Sequence, residues 1–177
     1  LIIGGGMAFT LVKAKGGRIG ESLVANDKQE LALEILKKAK EQNVKVHLPV
    51  DSIVTQEFDN DSETKIEDIT TISEGWMGLD AGPQSRDNFA KVIAESKIIL
   101  WNGPLGVFEM DTFSKGTIAL GEAIASATEK GAFSLVGGGD SVSEAKKFGV
   151  DTKVSYVSTG GGAMLEMLEG KSLPGID

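Results

Sequence analysis

Phe133-Ser134-Leu135-Val136 runs without a break into Gly137-Gly138-Gly139-Asp140, and Ser141–Phe148 follows with helical spacing, stopped by Gly149. This join decides the fold. A short continuous apolar run, a glycine turn and then a helix mark a buried strand feeding a crossover helix in a parallel sheet. The pattern recurs along the chain. Leu1-Ile2-Ile3 enters Gly4-Gly5-Gly6, and Ile98-Ile99-Leu100-Trp101 enters Asn102-Gly103-Pro104-Leu105-Gly106. Val154-Ser155-Tyr156-Val157 enters Ser158-Thr159-Gly160-Gly161-Gly162, and Val44–Leu48 is a fifth run of strand length.

Helical periodicity fills the intervals. Asp27–Gln42 puts Leu31, Ile35, Leu36 and Ala39 on one face, and Asp27 with Glu30 has the spacing of a capping box. Ser85–Ser96, after Pro83, turns Phe89, Val92 and Ile93 inward; Ser114–Lys130 carries Ile118, Ile124 and Ala125 and stops before Gly131. Gln56–Ile72 breaks the alternation. It is polar and Thr-rich, with six acidic residues against Lys65, and reads as a solvated β-hairpin. A calcium loop there lacks the turn glycine and the final Glu. The expected fold class is α/β: a Rossmann-like three-layer sandwich with a mainly parallel sheet and a small β-hairpin excursion.

Composition narrows the chemistry. The chain has 177 residues, 41% hydrophobic and 25% charged, as in an ordinary soluble domain with a sizeable core. It has no Cys, which excludes disulfides, thiolate metal sites and thiol nucleophiles, and one His, which excludes a multi-His metal cage. The net charge of −8 argues against nucleic acid as a partner, and no apolar run reaches the roughly 20 residues of a membrane span. The chain opens inside an apolar run without Met, which reads as a piece of a longer polypeptide.

Glycine is the informative excess, 23 of 177, nearly twice the usual ~7%. Glycine turns at strand C-terminal ends, followed by helix N-termini, let a backbone approach phosphate and offer it free N–H groups. Any one such loop reads equally well as a tight turn; four on one sheet edge point to a nucleotide or phosphate. The dinucleotide fingerprint fails at its third glycine three times, at Phe9, Val142 and Leu165, which disfavours a dehydrogenase domain. Gly170-Lys171-Ser172 has Leu165 where Walker A requires glycine, and H-R-D and G-x-S-x-G motifs are absent.

Taken together, the segments Ile2–Thr10, Leu48-Pro49-Val50-Asp51, Gly75–Asp80, Trp101–Glu109, Val136–Asp140, Val157–Ala163 and Leu168–Gly175 resemble phosphoglycerate kinase, specifically its C-terminal, nucleotide-binding domain. The resemblance covers nearly the whole chain. It implies a single nucleotide-binding domain over residues 1–177, without the N-terminal substrate domain that holds 3-phosphoglycerate, the catalytic arginine and the Gly-Gly-Ala-Lys strand. The family transfers a phosphoryl group reversibly between 1,3-bisphosphoglycerate and MgADP. The resemblance therefore implies ADP or ATP with Mg²⁺ as ligands and a cytoplasmic glycolytic enzyme, monomeric at full length. The chain alone is expected to lack activity and, with a sheet edge exposed, to self-associate. The alternative is a stand-alone, non-catalytic nucleotide-binding module.

The resemblance also implies roles for individual residues. Gly5, Gly6, Leu23, Met77, Gly78, Leu79 and Val107 match the adenine slot, although Leu23, Met77 and Leu79 would otherwise read as core. Glu109 matches the carboxylate on the ribose hydroxyls. Asn102 and Pro104 match the loop beside the phosphates, and the backbones of Gly138, Gly139 and Ser141 would face them. Asp140 matches the carboxylate linked to Mg²⁺, directly or through water; its other reading, compatible with the first, is a helix N-cap. Gly160, Gly161 and Gly162, following Thr159, would offer N–H groups to the transferred phosphoryl group. Ser158 and Thr159 are then not nucleophiles, His47 is a strand residue without catalytic work, and Lys37, Lys38 and Lys40 are a solvated helix face.

Overall fold

The computed structural model describes residues 1–172 and divides into two compact units: Leu1–Lys91 with Leu105–Leu120, and Val92–Pro104 with the chain from Gly121 onward. The Leu173-Pro174-Gly175 part of the last matching segment lies outside the described residues.

The first unit opens with Leu1–Ile3, which makes a single parallel bridge through Ile2 to His47 rather than a strand. Ile3 donates to the His47 carbonyl at 3.0 Å, and His47 donates to that of Leu1 at 2.8 Å. Helix α1, Gly5–Ala14, begins at once, so neither Leu1–Ile3 nor Val44–Leu48 extends into the expected strands. Strand β1 (Arg18–Ile19) and a 3₁₀ turn at Asn26–Lys28 lead to α2 (Gln29–Glu41). The capping box does not form: Lys28 is the N-cap, no side chain caps it, and Asp27 pairs with Lys28 instead. The buried face of α2 is also turned from the one expected. Ala32 and Ala39 are buried and Leu36 packs with them, but Leu31 and Ile35 are exposed.

Four strands follow: β2 (Asp51–Thr55), β3 (Thr64–Asp68), β4 (Thr71–Ile72) and β5 (Met77–Ala81). β1 and β4 pair in parallel, while β3-β2-β5 is antiparallel throughout. The hairpin expected at Gln56–Ile72 is therefore the β2–β3 arm of a three-stranded sheet. β2 carries no continuous apolar run, because beside Val54 its buried positions are Asp51, Ser52 and Thr55, and each of these polar groups is satisfied. Asp51 accepts the N–H groups of Gln84 and Ser85 and so caps α3 (Pro83–Ala94). The Ser52 hydroxyl donates to the Asp80 carbonyl, and that of Thr55 bonds to Ser62. α1 sits between two apolar clusters, with Ala8, Phe9 and Val12 facing Val54, Ile69 and Ile72, and Leu11 facing Ile3 and Ala32.

The second unit contains β6 (Ile98–Trp101), most of α4 (Lys115–Glu129), β7 (Phe133–Gly137), α5 (Gly139–Lys147), β8 (Tyr156–Ser158) and α6 (Gly161–Leu168). β6, β7 and β8 form a parallel sheet in that order, with Ile98 opposite Phe133 and Leu135 opposite Tyr156. This is the α/β, mainly parallel arrangement the apolar runs foretold. Trp101 and Val136 are buried on one face, where a Cβ on the α4 residue Gly121 would touch Trp101 and Val150. On the other face Ile98, Phe133 and Tyr156 are exposed. Among the described residues no helix is long and apolar enough to cross a membrane.

Candidate nucleotide site

In the second unit the three parallel strands end on one edge, so their glycine loops emerge side by side. Gly138 has φ 101°, a conformation only glycine takes without strain, and turns β7 into α5 as its N-cap. This corrects the N-cap reading of Asp140. Helix α5 starts at Gly139, two residues before the expected Ser141, and Asp140 stands exposed in its first turn. The loop after β6 is stitched to this turn. Asn102 Nδ2 donates to the Gly137 carbonyl at 2.7 Å, and Gly103 N–H donates to the buried Ser141 hydroxyl at 2.6 Å. The third loop comes closer still: a Cβ on Gly161 would overlap the Gly138 backbone, and one on Gly137 would overlap Met164. The N-termini of α5 and α6 are therefore neighbours. First-turn N–H groups of a helix have no partner inside it, and the positive dipole end lies there. The structure thus brings together Asn102, Gly138, Gly139, Asp140, Ser141, Gly160, Gly161 and Gly162; Pro104 is half-buried in the loop after β6.

The first unit gathers the other predicted residues. Leu23 is 74% exposed, yet its Cδ2 covers Gly6, only 2.6 Å from where a Cβ would stand. Its loop is held by buried groups: Gly78 N–H donates to Ser22 Oγ at 2.9 Å, and Ala25 N–H to Thr10 Oγ1 at 3.0 Å. Val107 N–H donates to the Leu79 carbonyl at 2.9 Å, tying the loop that carries Val107 and Glu109 to β5. Glu109 is exposed, inside the turn that Met110 N–H closes on the Val107 carbonyl. An apolar cavity of about 430 Å³ opens beside Gly6 and Leu23, lined also by Met7, Leu31 and Ile35. Met77, Gly78, Leu79 and Val107 do not line it. His47 makes the bridge to Ile2, and Lys37, Lys38 and Lys40 are exposed apart from a long Lys37–Glu41 pair.

Two residues of this architecture went unread in the sequence. Ser22 lies in no motif of the sequence, and Asp80 only closes the matching segment Gly75–Asp80. The available signal for Asp80 was a carboxylate inside the short buried segment Met77–Ala81. It is 3% exposed, and burial pushes its carboxyl up to about 7, against the pull of the Gly116 and Ala81 N–H groups and of Arg86 and Lys115.

Among the described residues no three His, Cys, Asp or Glu side chains cluster as a metal cage. A lone carboxylate such as Asp140 suits Mg²⁺, which keeps waters and phosphate oxygens as its remaining ligands.

The phosphoglycerate kinase family model matches residues 1–171. A phosphoglycerate kinase of Porphyromonas gingivalis is 60% identical over 99% of this chain, which spans 42% of that protein. The structure of phosphoglycerate kinase from Coxiella burnetii superposes with a TM-score of 0.92 at 45% identity, covering 97% of this chain and 44% of that one. The crystal structure of the Pyrococcus horikoshii enzyme gives 0.81 at 31% identity, covering 98% and 43%. The chain thus spans less than half the length of these relatives, over nearly all of its own residues. A match this continuous, over residues 1–171, places the chain in the phosphoglycerate kinase family.

Proposed function

We infer that residues 1–177 serve as the nucleotide-binding domain of a phosphoglycerate kinase and bind MgADP or MgATP for reversible phosphoryl transfer with 1,3-bisphosphoglycerate. The observation that carries this is the seating of Gly161 against Gly138, which makes the α5 and α6 N-termini neighbours with Asp140 exposed beside them. On this reading Gly138, Gly139 and Ser141 give backbone N–H groups to phosphate oxygens, and Asp140 holds the nucleotide's Mg²⁺ directly or through water. Gly160, Gly161 and Gly162 face the transferred group. Such a transfer needs positioning and charge neutralisation more than covalent chemistry, so the absence of Cys and the single His are no obstacle. In the first unit Gly5, Gly6, Leu23, Met77, Gly78, Leu79 and Val107 take the base, and Glu109 takes the ribose hydroxyls. Asn102 and Pro104 border the phosphates. Because the chain spans 42% of its Porphyromonas relative, turnover is assigned to the whole enzyme, and this chain by itself is expected to bind nucleotide without activity.

Trp76 and Trp101 are the chain's two tryptophans, one in each unit, which makes a MgADP titration followed by their fluorescence the direct test. The expected result is a saturable change with MgADP and none with 3-phosphoglycerate. No MgADP response in fluorescence and no heat in calorimetry would refute the reading.

A further inference from the structure

We propose that Asp80 is a positioning residue for the nucleoside: from within β5 it fixes the loop that presents Val107 and Glu109, without touching the ligand. This rests on the nucleotide reading above, and nothing in that reading uses Asp80.

The geometry is that of a carboxylate enclosed by backbone. One oxygen accepts the N–H of Ala81 at 2.8 Å, and the other accepts that of Gly116, in the first turn of α4, also at 2.8 Å. A Cβ on Gly106 or on Gly116 would overlap Asp80 Oδ1. Both ends of the 106–116 segment therefore close on this one side chain. One residue earlier, the Leu79 carbonyl receives Val107 N–H, and the Asp80 carbonyl itself receives the Ser52 hydroxyl from β2. The charges that reach the carboxyl are Arg86 on α3 and Lys115 on α4. A buried carboxylate is a costly way to satisfy two N–H groups if stability is the only gain. Its position explains the cost: it sets the height of Gly106, and with it where Val107 and Glu109 stand.

The test is binding of adenosine, which has no phosphate, and of tripolyphosphate, which has no nucleoside, to the wild-type chain, Asp80→Ala and Asp80→Asn. Asp80→Ala is expected to weaken adenosine tenfold or more and leave tripolyphosphate unchanged. Asp80→Asn, which keeps the shape and one acceptor, is expected to restore most of the loss. A merely structural role would weaken both probes alike, and that result, or unchanged adenosine binding, overturns the proposal. If Asp80→Ala does not fold, Gly116→Ala takes its place, since its methyl meets the Asp80 carboxylate before any other group and leaves that carboxylate in the chain; the same two results decide. Amide exchange at Val107 needs no ligand and separates this proposal from the reading beneath it. Faster exchange in the variants, with no adenosine binding by wild type, keeps the hold on the loop and overturns the nucleoside reading. Wild-type exchange rates in the variants overturn the hold itself.

Discussion

Asp80 makes a prediction about stability that can be worked through to a number. Its carboxyl titrates at about 7 in the folded chain, against 3.8 for a solvated Asp, mainly because burial penalises the charge. The folded state therefore holds this proton more tightly than the unfolded state does. The site costs nothing below about pH 4, where both states are protonated. Its cost grows as pH rises through the interval and levels off above about 7. A gap of about three pH units, at 1.36 kcal/mol each, comes to about 4 kcal/mol at the plateau. Between about pH 5 and pH 8 roughly 3 kcal/mol of that appears, a large part of a typical 5–15 kcal/mol stability. Asp80→Asn removes the charge and loses one N–H acceptor, a pH-independent loss of about 1–3 kcal/mol. Urea denaturation of both chains across this range isolates Asp80, because every other group cancels in the difference. The variant is expected to gain about 3 kcal/mol relative to wild type on going from about pH 5 to pH 8. Parallel stability curves would refute the reasoning, and so would a difference of opposite slope.

Three other outcomes follow from the same contacts. Gly6→Ala sets a methyl against the far end of Leu23, 2.6 Å from its Cδ2; since that side chain can swing away, urea denaturation should show a loss under about 1 kcal/mol while adenosine affinity falls. Asp140→Asn should abolish the magnesium-dependent part of ADP affinity in calorimetry and leave magnesium-free ADP binding near wild type; equal loss with and without the metal would remove Asp140 from the metal's shell. β6 stands at one edge of its sheet with Ile98 80% exposed, and Phe133 on β7 and Tyr156 on β8 are exposed on the same face, so sedimentation of the isolated chain should show concentration-dependent association, which a monodisperse monomer would disprove.

The legible part of the fold was the part in which apolar runs meet glycine. Ile98–Trp101 and Phe133–Gly137 were readable because parallel strands buried on one or both faces carry continuous hydrophobic sequence. β2 was not readable, because Asp51, Ser52 and Thr55 are buried through hydrogen bonds that no local pattern announces. α2 shows the opposite failure. Its periodicity was plain, but periodicity gives a stripe and not what covers it: Ala32 and Ala39 won the core, and Leu31 and Ile35 were left lining an open apolar cavity. The residues proposed to face phosphate were legible as loops from their glycine spacing. Their shared sheet edge was expected too; the contact of Gly161 with the Gly138 backbone, beside the β7–β8 pairing, was not. Ser22 and Asp80 act on backbone N–H groups far along the chain, at Gly78 and Gly116, and such partners leave no local signature.

In sequence all the glycines of these loops look alike; in the structure they are of two kinds. Gly161 is required by the fold, because any side chain there would overlap the Gly138 backbone. Gly139 and Gly162 have nothing within 4 Å of an added Cβ, and neither has a positive φ. Each lies in the first turn of a helix, where glycine is less favourable than alanine by up to about 1 kcal/mol. The fold offers no contact to offset that cost, and on the proposed nucleotide reading the reason for glycine is a ligand that comes too close for a methyl group. Stability and binding should then move in opposite directions. Gly139→Ala and Gly162→Ala are expected to raise urea stability by about 0.5 kcal/mol each and to weaken tripolyphosphate several-fold, whereas Gly161→Ala should lower stability by about 1–3 kcal/mol through overpacking. Variants at 139 and 162 that become more stable and still bind tripolyphosphate as wild type does would show that these loops do not cradle phosphate.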